Sequence, residues 1–221
     1  MGVIQDYIDN KRRFRPQVEE GKTYLRFRKT EIWLHWGHAL PFLLLLATGL
    51  YLAYEGFMGE TRDEAMSDFH EYVGLALIFT PPLVTLLGNT RLILGNLVKI
   101  LTIEPDDIAW LKAQPKGLHV PAGKFNMGQK INSILMMLIS LSLQITGVWL
   151  WQAPQGLLPR WLHTLVALGS MFLLSGHIFM ATINPSTRKG FMGIIHGIVP
   201  ISYVKEHHSK QLEKPPEVIH S

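Results

Sequence analysis

Five of the ten histidines fall in or at the edge of apolar stretches of this 221-residue chain. His35 and His38 sit in "EIWLHWGHALPFLLLLATGLYL", His70 heads "FHEYVGLALIF", and His163 and His177 share "RWLHTLVALGSMFLLSGHIFMATI". An imidazole can move a proton, bond a polar partner or ligate a metal. A titratable group in hydrocarbon is costly, so it faces the inside of a bundle and has a partner there. His163 and His177 are fourteen residues apart, a helical rise of roughly 21 Å and a turn of about 1400°, which leaves the two rings within about 40° of one another. They share a face near opposite ends of one helix, and each needs a partner at its own depth.

Four stretches must position these rings. Residues 32–54, 72–90, 131–159 and 161–187 carry no Asp, Glu, Lys or Arg. About 20 mostly apolar residues cross a bilayer, so the expectation is an all-α integral membrane protein with spans at 33–54, 69–89, 131–151 and 161–183. A soluble fold would need four uncharged helices buried all round in one small domain. Pro41 is expected to kink the first span, and Pro81 and Pro82 to bend the second. The polar N-terminus lacks the apolar core of a cleavable signal. Residues 1–31 read as a basic arm, 32–187 as the four-span domain, and 188–221 as a tail. Within the tail, "FMGIIHGIVPISYV" is too short to span and reads as interfacial, and "KQLEKPPEVIHS" reads as disordered. No strong internal repeat stands out.

The net charge of +4 is distributed by topology. Lys and Arg number 19 in the arm, the 91–130 segment and the tail, against 2 in the loops 55–71 and 152–160. That asymmetry puts both termini and the middle segment in the cytoplasm, and the acidic 55–71 loop outside. It accounts for the basic excess through membrane surface charge and argues against nucleic acid. There is no cysteine, which excludes disulfides, thiolate metal sites, Fe–S ligation by this chain and covalently attached c-type haem.

Topology pairs the histidines. His70 and His163 fall at the outer ends of descending spans, and His35 or His38 at the inner end of the first span faces the depth of His177. Two imidazole pairs at matched depths in a four-helix bundle suit two bis-histidine b-type haems stacked across the membrane. Gly37, Gly49, Gly74, Gly147, Gly169 and Gly176 lie in the spans and would make room for a flat macrocycle. The alternative is a set of structural hydrogen bonds between helices, as in a transporter or assembly protein without haem. Zinc or di-iron sites want clustered ligands or carboxylates, which the spans lack. A proton pump would show an intramembrane acid. His35 and His38 lie about 60° apart on the helix, so only one of them suits one iron.

Together with "KFNMGQKIN", "TGVWLW" and "HGIVPISYVKEHH", these motifs resemble the gamma subunit of membrane formate dehydrogenase over residues 28–211. That subunit is a four-span dihaem cytochrome b related to the b-type cytochromes of nickel-iron hydrogenases. The resemblance implies axial ligation of iron by His35 with His177 and by His70 with His163, with both haems being haem b. It implies an Fe–S subunit and a catalytic oxidoreductase subunit as partners, in a larger oligomer within the cytoplasmic membrane of a prokaryote. It also implies menaquinone or ubiquinone as electron acceptor on the cytoplasmic side, near Asn126, Gln129 and Lys130. His38 departs from the family pattern and is expected to touch a quinone or a propionate. Asn126 reads equally well as a helix N-cap. "KEHHSK" reads as solvated or as a partner contact rather than a metal site. The chain carries no formate-oxidising site of its own and no nucleophile constellation. The same cytochrome could serve a hydrogenase or another periplasmic oxidoreductase, or work as a stand-alone transmembrane oxidoreductase resembling cytochrome b561.

Overall fold

The computed structural model describes residues 23–118 and 120–213. Strand β1 (Thr23–Leu25) precedes α1 (Lys29–Met58) and α2 (Glu64–Leu87). The short α3 (Thr90–Leu101) and α4 (Pro105–Ala113) follow, then α5 (Met127–Gln152) and α6 (Leu157–Ile178). The C-terminal part holds α7 (Phe191–His196), β2 (Ile198–Pro200), α8 (Ile201–His207) and α9 (Lys210–Glu213). A π-helical turn, Phe179–Ile183, prolongs α6, so four helices are long and apolar enough to cross a membrane. Each starts a few residues before the span read from sequence, and α2 ends at Leu87, short of the expected 89. Pro41, Pro81 and Pro82 lie inside α1 and α2 without ending them.

The chain divides into two compact units. One contains residues 33–87 and 136–175 and so holds most of the four long helices. Its outer faces are apolar and exposed: Phe57, Phe79, Leu86 and Phe172 present large side chains outward, as lipid-facing positions do. Beside Phe42, Leu77 and Glu55, its buried positions include the hydroxylated Thr48, Ser67, Ser140, Thr146 and Ser170. Small and hydroxylated residues at such contacts are characteristic of helix packing in lipid, where they let backbones approach. At Gly37 a Cβ would stand 3.1 Å from Thr80 Cγ2, so α1 and α2 touch closely there.

The other unit gathers the described parts of 1–32, 88–135 and 176–221. β1 and β2 pair antiparallel, with Tyr24 opposite Val199. Val199, Tyr203 and Val204 form its apolar core, with Tyr24 and Leu212 packed against it. Arg26 N and Phe27 N both donate to Gly197 O, at 2.7 and 3.0 Å. Gly197 has φ +82°, and a Cβ there would lie 2.7 Å from Phe27 O, so only glycine fits this turn. The 91–130 segment forms α4, followed by a 3-10 turn that ends at Gly117 in the left-handed region, and before it α3. Its start is fixed by Asn89, whose side chain accepts from Leu92 N at 2.9 Å.

Buried charge binds this unit together. Glu31 accepts from Asn96 Nδ2 at 2.7 Å and Lys124 Nζ at 2.6 Å. Lys130 Nζ pairs with Asp107 Oδ2 at 2.6 Å and donates to Thr102 O at 2.9 Å. Removing one partner of such a buried pair costs about 3–5 kcal/mol, because the other charge stays behind. Arg26 is almost wholly buried. It donates to Gln211 Oε1 and Lys124 O, and lies 3.1 Å from His208 Nε2. His208 Nδ1 in turn donates to Gly123 O at 2.8 Å. The expectation that "KEHHSK" is solvated therefore fails for His208, which is fully buried. The tail also departs from the reading of disorder over 210–213, which form α9; the remainder of that reading lies outside the described residues.

Burial, and then the neighbouring Arg26 charge, push the His208 imidazole down to about 3. The free ring titrates near 6.5, so between about pH 6.5 and 3 the unfolded chain binds a proton that the folded chain refuses. Stability from this residue is thus fully present above pH 6.5 and falls with acidification, by at most tenfold in the folding equilibrium per pH unit. Hydrogen exchange across 197–213, corrected for intrinsic rate, should show more frequent opening at pH 5 than at pH 7. Equal opening at the two values would contradict the buried neutral ring.

Candidate functional site

His70 on α2 and His163 on α6 face each other inside the first unit. Their ring centroids are 6.3 Å apart and their planes 76° apart. Each ring is also held from the other side by a neighbouring helix. Thr48 Oγ1 on α1 lies 2.8 Å from His70 Nδ1, and Thr146 Oγ1 on α5 lies 2.9 Å from His163 Nδ1. The glycine after each threonine makes space for the ring. A Cβ at Gly49 would stand 3.1 Å from His70 Cε1, and one at Gly147 would stand 3.4 Å from His163 Cε1. Thr48, Thr146 and the two rings join α1, α2, α6 and α5 in that order, and His38 closes the ring of helices: its Nε2 is 2.9 Å from Ser140 Oγ on α5.

This arrangement has a defined chemistry. Two imidazoles this close, each contacted at Nδ1 by a threonine hydroxyl, could offer a lone pair to one metal ion where neutral. Among the described residues no group of three or more His, Asp or Glu side chains converges.

The other expected residues lie as follows. His38 stacks on Phe42 at 5.7 Å and lines a cavity of about 260 Å³ with Pro81, Pro82, Ser140, Leu141 and Gln144. Three polar side chains in an apolar cavity are a setting for a ligand with few polar atoms. His35 packs edge-on against Trp36, centroids 5.1 Å apart. His177, in the second unit, lies with Nδ1 3.2 Å from Asn132 Nδ2, and the π-helical turn begins two residues later. Asn126 and Gln129 cap α5 reciprocally: Gln129 N donates to Asn126 Oδ1 at 2.9 Å and Asn126 N to Gln129 Oε1 at 3.1 Å. The helix-cap reading of Asn126 is thus present in the structure. Lys130 is engaged by Asp107 and Thr102.

Thr48, Thr146, Asn132, Ser140 and Gln144 are not singled out by sequence reasoning. A signal exists for the threonines. "TGLYL" at 48–52 and "TGVWL" at 146–150 repeat Thr-Gly, then an aliphatic, an aromatic and Leu, and each precedes a histidine on the next long helix. A local repeat of five residues is thus present where none stands out by eye.

The profile of the prokaryotic cytochrome b561 family matches residues 26–197. The chain is also similar to the cytochrome b556 subunit of formate dehydrogenase from Haemophilus influenzae (strain ATCC 51907 / DSM 11121 / KW20 / Rd). The two are 24% identical over 213 residues, covering 88% of this chain and 84% of that one. Four membrane-length helices, an imidazole pair at their centre and a family match across most of the chain agree: this is a multi-pass membrane protein, and it belongs to the prokaryotic cytochrome b561 family.

Proposed function

We propose that this chain is the membrane cytochrome subunit of a formate dehydrogenase complex, passing electrons from an Fe–S subunit through two bis-histidine haems b to a quinone reduced on the cytoplasmic side. The observation that carries it is the His70–His163 pair. The two ring centroids stand 6.3 Å apart, so the imidazoles are near enough to hold one metal ion between them. Haem, when bound, supplies the one-electron chemistry that the side chains lack.

The chain's own residues have separate tasks in this reading. His70 and His163 hold one haem, and Gly49 and Gly147 leave their rings room. The family resemblance implies His35 and His177 as ligands of the second haem. His38, Ser140 and Gln144, or the Asn126–Gln129 turn, take the polar end of a quinone. The apolar faces of the long helices keep water from the path. The relative's name supports formate dehydrogenase over a hydrogenase as the donor enzyme, and the basic arm, middle segment and tail support a cytoplasmic site of quinone reduction. An electron carried inward against 100 mV conserves about 2.3 kcal/mol.

The test is a reduced-minus-oxidised visible spectrum with a pyridine haemochrome count on the purified complex. Two haems b per chain are expected. His70→Ala and His163→Ala should each remove one, and the double variant should remove no more than either alone. His35→Ala and His177→Ala should remove the other. Well-folded protein without haem would overturn the proposal and favour structural histidines. Gly49→Ala should loosen haem more than Gly147→Ala, because its Cβ meets the ring at the shorter distance. Haem retention through gel filtration measures the difference.

A further inference from the structure

We propose that Thr48 and Thr146 are positioning residues that set the ligating atom of the His70–His163 pair: each takes the Nδ1 proton of one ring and so leaves Nε2 for iron. This rests on the reading above that the pair holds a haem.

A threonine hydroxyl has one proton to give. Thr48 Oγ1 lies 2.9 Å from Leu44 O and 3.2 Å from Leu45 O, while Thr146 Oγ1 lies 2.7 Å from Ser142 O and 3.3 Å from Leu143 O. Each hydroxyl therefore donates to its own helix. Its remaining contact, to the imidazole Nδ1, is one in which it accepts. The ring must then be the donor, and a neutral ring protonated at Nδ1 carries its lone pair on Nε2. The opposite assignment puts the proton on Nε2, where it blocks ligation.

Hydroxyl bonds to the i−4 carbonyl are ordinary in helices. Thr80, Ser142 and Ser175 make them on exposed faces of this chain. What distinguishes Thr48 and Thr146 is that both are buried, both reach a histidine at 2.8–2.9 Å, and both are followed by a glycine under the same ring. The same three contacts recur at two places far apart in the chain. One such constellation is ordinary packing; its repetition on the two sides of one site points to a shared task.

The electronic consequence follows. A ring that donates from Nδ1 is a more basic ligand at Nε2, which favours ferric over ferrous iron and holds the potential down. Thr→Val keeps the shape and removes the acceptor; Thr→Ser keeps the acceptor and removes a methyl. Redox titration of the purified complex, followed in the visible spectrum, reads the effect. Thr48→Val and Thr146→Val should each raise the potential of the haem that His70→Ala removes. The expected size is a several-fold to tenfold change in its reduction equilibrium, where tenfold is 59 mV for one electron. The other haem should not move, and Thr48→Ser should titrate as wild type. A valine variant without haem beside a serine variant with it also shows that the hydroxyl is required. Haem-bound valine variants at unchanged potential overturn the assignment, as does a serine variant that loses haem with the valine. Wild-type protein without haem defeats the underlying reading instead, and the two failures are told apart by that control.

Discussion

An imidazole placed in hydrocarbon has two nitrogens to satisfy, and the rest of this bundle is arranged around that requirement. Thr48 and Thr146 satisfy one nitrogen on each of two rings, and the proposed haem would take the other. Because the threonines sit on α1 and α5 and the rings on α2 and α6, meeting the requirement ties four helices to one another. Hydrophobic contact alone could not select this order, since lipid competes for apolar faces as well as a neighbouring helix does. Gly49 and Gly147 follow from the same constraint: a ring braced against a helix backbone leaves no room for a Cβ.

The second unit solves a different problem with a different chemistry. Its segments come from three distant parts of the chain, and its apolar core is small. Arg26, Glu31, Lys124, Asp107 and Lys130 supply long-range order through buried pairs, and Gly197 lets the chain reverse so that β2 can pair with β1. Buried pairs of this kind contribute little net stability over apolar packing but punish every misassembled alternative that leaves a charge alone. His208 belongs to the same network as a neutral acceptor for Arg26, which is why acidification should destabilise this unit.

Much of the bundle is legible in the sequence, and the reason is the solvent. A bilayer demands long uncharged runs, so the four helices are visible as gaps in the distribution of Asp, Glu, Lys and Arg. The His70–His163 pairing is legible for the same reason, since topology fixes depth and depth limits partners. What escapes is what depends on rotation about a helix axis or on contacts between distant segments. Thr48 and Thr146 look like ordinary intrahelical hydroxyls until their neighbours are known. His208 reads as solvated because its flanks are charged, and only the Arg26 and Gly123 contacts reveal its burial. The helix α3 hides within a basic, loop-like segment because its cap, Asn89, is a residue as common in turns as at helix starts.

In the proposed function, His70 and His163 hold one iron between rings that stand nearly perpendicular, 76° apart. Ring planes at that angle leave two iron d orbitals almost equal in energy, and a low-spin ferric centre then has a strongly anisotropic EPR signal. The low-temperature EPR spectrum of the oxidised complex tests this directly. The account predicts such a signal, lost in both His70→Ala and His163→Ala and kept in His38→Ala. A rhombic signal alone, of the kind given by parallel rings, or an anisotropic signal that survives removal of either histidine, would contradict it.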